Sequence, residues 1–400
     1  MLKIKRGKNS KLSPLLAGYR KNNKGSLKIL MAAAEVAPFA KVGGLADVVG
    51  SLPPALKNLG HDIRVIMPKY GTIDTKKFKL KKFKSNLSIP TGSKIEKVNI
   101  WKSKLPGSTV IVYFIDNKKY FSKKEVYHGN NTERFLFFSL ATVHVLKELR
   151  FKPDVIHAHD FHAALITDII KTGKYKLLEN TKTLYTIHNL NYQGKSEIEL
   201  LSTGNLNKNS LKTLSRDASD GDINFMVQGI VNADAVNTVS KKYAKEIELK
   251  SYGAGLEKVI RANKLKISGI LNGLDIDFFN PKTDKFIYKN YNFKEISKKK
   301  ENKIFLQKLL KLPQNKDIAM VGFVSRLAWQ KGVELINEEL INSCDCQFVF
   351  LGTGQKEYEE HLKKLHKKYP DKVSANIMFD IGLAQQIYAG SDIFLMPSRL

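Results

Sequence analysis

Acid is scarce in this chain. Against 67 lysines and arginines stand 38 aspartates and glutamates, and no acidic residue precedes Glu35. Long apolar runs are missing as well. None reaches the roughly 18 residues that a membrane-crossing helix needs, so no membrane partner is expected. Cysteine is nearly absent. Cys344 and Cys346, in "CDC", sit too close to bridge one another and lack a surrounding ligand cluster. That excludes a disulfide scaffold and fits a reducing compartment, the cytoplasm. No Walker A pattern and no G-x-G-x-x-G follows the first apolar run, which excludes a P-loop and the common dinucleotide fingerprint. No D-x-D-like pair is placed to hold a metal, so metal-independent chemistry without a cofactor is expected.

The excess of base gives a formal net charge of +29. A surface of that sign can attract nucleic acid or an acidic membrane. The lysines are scattered, however, and no nucleic-acid motif accompanies them, so they read as a solvated surface with no nucleic-acid partner. Residues 1–26 are basic and rich in Ser, Asn and Gly. They read as a disordered tail or a transit-like segment, the latter pointing to a plastid.

Four hundred residues exceed what one core normally serves, so two domains are expected. From residue 27 short apolar runs alternate with helical stretches. "LKILMAAA", "HDIRVIMP", "STVIVYFID", "PDVIHAHD", "TKTLYTIHN" and "ADAVNTVS" read as strands buried on both faces. Between the first two lies "GGLADVVGSLPPALKNLG", a helix closed by Gly60 that its proline pair is expected to break or kink. "DIAMVGFVSRL", "CQFVFLGTG", "SANIMFDIG" and "SDIFLMPSRL" form a second strand series. "GVELINEELIN", "QKEYEEHLKKLHKKYP" and "LAQQIYAG" are the helices between them. The Lys-, Asn- and Tyr-rich stretch 281–316 reads as the separator. The expected fold is α/β, two Rossmann-like doubly wound domains facing a cleft. Ligands in such sheets bind beyond the carboxyl ends of the strands. Lys41, His159, His188, Arg326 and Gly352 fall just after predicted strands.

Two stretches pair cations with glycine. "KVGG" puts Lys41 ahead of Gly43 and Gly44 at the mouth of a helix. "SRLAWQKG" puts Arg326 and Lys331 on a strand-to-helix loop that Gly332 closes as it opens a helix. Fixed cations at a helix N-terminus, with its free amides and dipole, suit a phosphate. "HAHDFHA" (157–163) gathers three histidines and an aspartate. Alternation along a strand end places His157 and His159 on one face and Asp160 on the other. Cleft-lining contacts and a zinc site are both open readings. "TIHN" places His188 and Asn189 after another strand, where a satisfied strand-end histidine is equally open.

Nine colinear stretches, among them "EVAPFAKVGGLADVVGSLP", "DVIHAHDFHA", "TIHNLNYQG", "SGILNGLDIDFFNP", "VGFVSRLAWQKG" and "IYAGSDIFLMPSRL", carry a resemblance that runs from about Leu27 to the last residue. The chain resembles the bacterial glycogen synthases and plastid-type starch synthases, retaining glucosyltransferases of the GT-B class and family GT5. The resemblance implies ADP-glucose as donor and an α-1,4-glucan as acceptor. It implies an N-terminal catalytic domain over 27–268 and a nucleotide-side domain over 269–400. Lys41, with Gly43 and Gly44, would meet the donor diphosphate. Asp47 would lie near sugar or acceptor and His188 beside the transferred glucose, and Asp160 and Asn189 would be substrate-binding. Asn272 would line the cleft, and Gly354 would belong to the substrate-binding turn. Arg326 and Lys331 would hold the two phosphates. Phe379 would face the adenine, where only a stacking face is required.

The family continues past "LMPSRL" with F-E-P-C-G-L and further helices. Its donor-binding glutamate would come about two residues after Leu400. The chain as written is therefore expected to be a fragment with an incomplete second domain and without significant synthase activity. The alternative is a non-catalytic homologue that binds glucan or nucleotide.

Overall fold

The computed structural model describes residues 25–399. The basic segment read over 1–26 lies, but for its last two residues, outside them. The chain divides into two compact units, Met1–Gly273 and Leu274–Leu400.

Among the described residues fifteen strands are formed. In the first unit they are β1 (Lys28–Ala32), β2 (Asp62–Pro68), β3 (Lys81–Thr91), β4 (Lys94–Lys104), β5 (Ile111–Asp116), β6 (Val155–His159), β7 (Lys182–Ile187), β8 (Lys195–Glu197), β9 (Asp222–Asn224), β10 (Ala235–Thr238) and β11 (Ile267–Gly269). Nine of them make one sheet in the order β11-β10-β7-β6-β1-β2-β5-β4-β3, and β8 pairs β9 separately. From β11 to β5 the neighbours are parallel. The strands of the centre are apolar because helices cover both faces; Leu30, Met31, Ala32, Val65 and Ile156 are fully buried or nearly so. The order runs outward from β1 through β2 and β5 on one side, and from β6 through β7 and β10 on the other. The direction reverses between β1 and β6, so the crevice beyond their carboxyl ends is the expected ligand position of this sheet.

The hairpin β3–β4 escapes a search for apolar runs. Its strands are antiparallel, lysine-rich and largely exposed. The signal is in its turn: Thr91 pairs Lys94 across Gly92 and Ser93, and Gly92 has φ +56°. A two-residue loop of this kind needs a glycine-like backbone.

The expected proline break does not occur. One helix runs through Gly44–Asn58 with Pro53 and Pro54 inside it. Leu45, Ala46, Val49 and Pro53 form a buried face at helical spacing, and that packing outweighs two lost amide donors. Gly50 is needed here, since a Cβ would stand 2.8 Å from the Ala37 carbonyl oxygen.

The second unit holds β12 (Ala319–Val324), β13 (Cys346–Leu351), β14 (Val373–Asn376) and β15 (Ile393–Phe394), a parallel sheet in the order β14-β13-β12-β15. Three expectations change. "GVELINEELIN" is not one helix. Two 3-10 turns, Trp329–Lys331 and Val333–Leu335, precede a short helix Glu338–Asn342 capped by Asn337. Gly332 does not open a helix either: its φ is +65°, and a Cβ would lie 2.1 Å from the Pro397 carbonyl oxygen. "SANIMFDIG" is strand only to Asn376, because Asp380 caps the helix Ile381–Gly390 by accepting from the Leu383 amide. The stretch 281–316 does lie between the two strand series, and it is packed into the second unit. Its helix Lys299–Leu309 buries Leu306 in a small core with Met320, Val349 and Ile387. Lys303, buried, donates to the Lys316 and Ile318 carbonyls and pairs with Asp392 at 2.6 Å.

Candidate functional site

The loop after β1 is shaped by a residue that sequence reasoning passed over. Glu35 is buried, and its Oε2 accepts from the amides of Val42 at 2.6 Å and Gly43 at 2.8 Å. Its Oε1 accepts from the Tyr127 hydroxyl. An internal carboxylate therefore already occupies two of the amides in "KVGG". Lys41 is likewise engaged, at 2.7 Å from Asp47 on the first turn of the following helix. Gly43 is the N-cap, and no side chain caps that helix. A Cβ on Gly43 or Gly44 would meet nothing within 4 Å among the described residues. The protein's own packing does not require glycine there, so the open side is room for a ligand to approach the backbone. The signal for Glu35 was present: it is a lone acid at the end of the apolar run "LMAAA", where a carboxylate is buried only if partnered.

Tyr127 reaches Glu35 because Arg134 ties down the loop before the helix Asn131–Val145. The guanidinium donates to the carbonyls of Tyr120 at 2.8 Å and Val126 at 3.0 Å, and to Asn131 Oδ1 at 2.7 Å. Tyr127 also stacks on His162, with centroids 5.2 Å apart. Burial, reinforced by Glu35, drives the Tyr127 pKa far up and keeps the phenol a donor.

β6 delivers the second group. His157 and His159 share a side, with ring centroids 4.0 Å apart. Asp160 does not point away as strand alternation suggested. The strand ends at His159, and Asp160 takes φ +52°, which turns its carboxylate toward the end of β7. There its Oδ1 accepts from the His188 amide at 2.7 Å, and the Asn189 amide also bonds to it. His159 Nδ1 meets His188 Nε2 at 3.0 Å. His157 Nε2 meets Thr186 Oγ1 at 2.6 Å, and Thr186 donates on to Asn237 Oδ1 at 2.6 Å. Burial shifts every titratable group in this cluster toward neutrality. It raises Asp160 to about 7 against the pull of the two amides. It lowers His188 to about 4, and His157 and His162 to about 3. No group of three His, Cys, Asp or Glu among the described residues could hold a metal ion. Asn189 uses its side-chain oxygen locally, accepting from the Asn191 amide at 2.9 Å. Asn272 is exposed on the irregular segment after β11 and joins none of these contacts.

In the second unit the candidates lie on loops after strands. Arg326 is exposed two residues beyond β12. Lys331 is half-buried, and its pKa is lowered first by burial and then by the Arg326 charge. Two cations thus stand near enough to repel, and neither makes an ion pair with a carboxylate among the described residues. Gly354 has a packing use. A Cβ would stand 2.0 Å from the Leu327 carbonyl oxygen, and its amide donates to Glu359 at 2.9 Å. Phe379 is 68% exposed, one residue ahead of the Asp380 cap. No helix among the described residues is long and apolar enough to cross a membrane.

Comparison with known proteins places this geometry. Residues 28–262 match the profile of the family described as starch synthase catalytic domain. The glycogen synthase of Thermosipho africanus is 45% identical over 93% of this chain and 79% of its own length. That of Thermotoga maritima is 44% identical over 93% and 78%. The chain superposes with a TM-score of 0.88 on the catalytic domain of starch synthase IV from Arabidopsis thaliana, a structure bound to ADP and acarbose. The two are 33% identical, over 94% of this chain and 79% of that one. The α/β architecture with parallel sheets is that of the GT-B glycosyltransferases.

Proposed function

Because the chain belongs to the starch synthase catalytic-domain family, the glucosyltransferases of glycogen and starch synthesis, we propose that it transfers glucose from ADP-glucose to the non-reducing 4-hydroxyl of an α-1,4-glucan, with retention. The single observation that carries the donor is the Arg326–Lys331 pair. Two mutually repelling cations without a carboxylate partner among the described residues are stabilised by an anion of matching charge. The ADP bound to the related starch synthase supports a diphosphate as that anion.

Glycosidic cleavage leaves charge on a diphosphate oxygen. Cations fixed at that oxygen lower the barrier more than they strengthen the ground state. Arg326 and Lys331 take this role in the second unit; in the first, Lys41 can bind phosphate by exchanging Asp47 for it. Gly43 and Gly44 admit the ligand to the backbone. His188, Asn189 and Asp160 hold the glucosyl group, with Asp47 beside it. Retention follows from same-face attack, the leaving phosphate taking the acceptor's proton. Phe379 stacks on the base, while Asn272 and Gly354 border the substrate. No metal enters the reaction. The free cysteines suit a reducing compartment, the cytoplasm.

The test is incorporation of labelled glucose into glycogen from ADP-glucose and from UDP-glucose. It is run on the 400-residue chain and on a chimera extended with the C-terminal remainder of a relative. Incorporation from ADP-glucose by either protein supports the reading. Folded, ADP-binding proteins that incorporate nothing contradict it and leave a nucleotide-binding homologue.

A further inference from the structure

His159 and His188 share one hydrogen bond, Nδ1 to Nε2 at 3.0 Å, and the direction of donation in it is a chemical question. His159 is fully buried, and its other nitrogen, Nε2, has no partner among the described residues. A doubly protonated His159 is ruled out by its setting. The cation would lie in a dry interior, with the His157 ring 4.0 Å and the His188 ring 5.3 Å away. Two neutral arrangements remain. If His188 donated from Nε2, the His159 proton would have to sit on Nε2, buried and without an acceptor. If His159 donates from Nδ1, the pair keeps no orphaned buried N–H, and only a lone pair at Nε2 goes unmatched. Orphaned buried N–H groups are rarer than under-used acceptors and cost the full desolvation of a donor.

We propose that His159 is a positioning residue that fixes His188 as its Nδ1-protonated tautomer. The His188 ring is then held at Nε2 by His159, while its own backbone amide is held by Asp160 at 2.7 Å. Nδ1 has no partner among the described residues and is not sealed from solvent. His188 therefore presents an N–H donor, which selects an oxygen lone pair such as that of a sugar hydroxyl. A ligand group that can only donate is disfavoured at that point. The identity of the ligand rests on the functional reading above; the tautomer does not.

Nitrogen NMR of the ligand-free full chain, labelled at histidine and assigned with a His188→Gln variant, decides it. The expected spectrum shows His188 protonated at Nδ1, the reverse of the form that a free imidazole side chain favours in water. His159→Phe should return His188 to Nε2 protonation. His159→Asn, whose amide brings an N–H near the lost Nδ1, should keep the native tautomer. In the active protein, kcat should fall up to about tenfold in the Phe variant, the scale of one lost hydrogen bond. KM for ADP-glucose should hardly move, and the Asn variant should recover kcat. Nε2 protonation of His188 in the unmutated protein overturns the proposal, and that spectrum decides even if a variant fails to fold. The native tautomer in a protein that ignores ADP-glucose would sink the functional reading and leave this one standing.

Discussion

In the first unit Glu35 uses both oxygens on Val42, Gly43 and Tyr127, Asp160 grips two amides, and Lys41 rests on Asp47. In the second, neither Arg326 nor Lys331 pairs with a carboxylate among the described residues, and Phe379 leaves most of its ring in water. One unit holds most of its candidate groups in a buried hydrogen-bonded frame, with the Lys41–Asp47 pair at its exposed edge; the other displays charge and a bare ring on loops. On the function proposed above, the difference is a division of labour. Orientation of a neutral sugar needs rigid donors and acceptors, because each bond is weak and directional. Recognition of a diphosphate needs charge, which acts with looser geometry.

Substitutions in the frame should therefore cost stability, and substitutions in the second set should cost affinity alone. Glu35→Ala breaks that comparison most strongly. It orphans two amides and a phenol, at roughly 1–3 kcal/mol each. Urea unfolding of the first unit should lose several kcal/mol, with activity abolished. A loss below 1 kcal/mol would mean the frame is not a frame. Arg326→Ala should leave unfolding within about 0.5 kcal/mol while weakening ADP binding by roughly 1–3 kcal/mol. The same split is expected of Lys331→Ala.

Acid sharpens the contrast. His157, His162 and His188 have pKa values lowered to about 3, 3 and 4, and His159 is lowered too. Below pH 6.5 the unfolded chain takes up these protons before the folded one, so stability falls as pH drops from 6.5 toward 4. Asp160 and Asp168, raised to about 7 and about 8, act oppositely and add stability as pH falls. Four histidines outweigh two carboxylates, so the first unit should lose stability over that window. Thermal scans from pH 7 to 4 would show it; an unchanged midpoint would contradict the burial of neutral imidazoles.

How much was legible beforehand follows the same line. Buried parallel strands announce themselves as apolar runs, and cation–glycine loops as short motifs, so the sheet centres could be found and Lys41, His188, Arg326 and Lys331 could be named as candidates. Glu35, Tyr127 and Arg134 could not be linked, because their contacts join residues up to 92 positions apart. The turn of Asp160 hides in one dihedral angle. The hairpin β3–β4 was hidden by its lysines, and the Pro53–Pro54 helix by packing that overrides local preference.

Smaller effects remain. Phe379→Leu should cost about 0.5–1.5 kcal/mol in ADP binding, the scale of an aromatic stack beyond plain burial, and should narrow any preference for ADP over UDP. Asp47→Asn should change stability by less than about 1 kcal/mol, since both partners of its ion pair are partly exposed.

The most direct test is a calorimetric titration of ADP into the unmutated chain and into the Arg326→Ala/Lys331→Ala double variant, with unfolding of each followed in parallel. An ADP site is expected in the first protein, its loss or near loss in the second, and matching unfolding curves. Equal ADP affinity in the two folded proteins would contradict it.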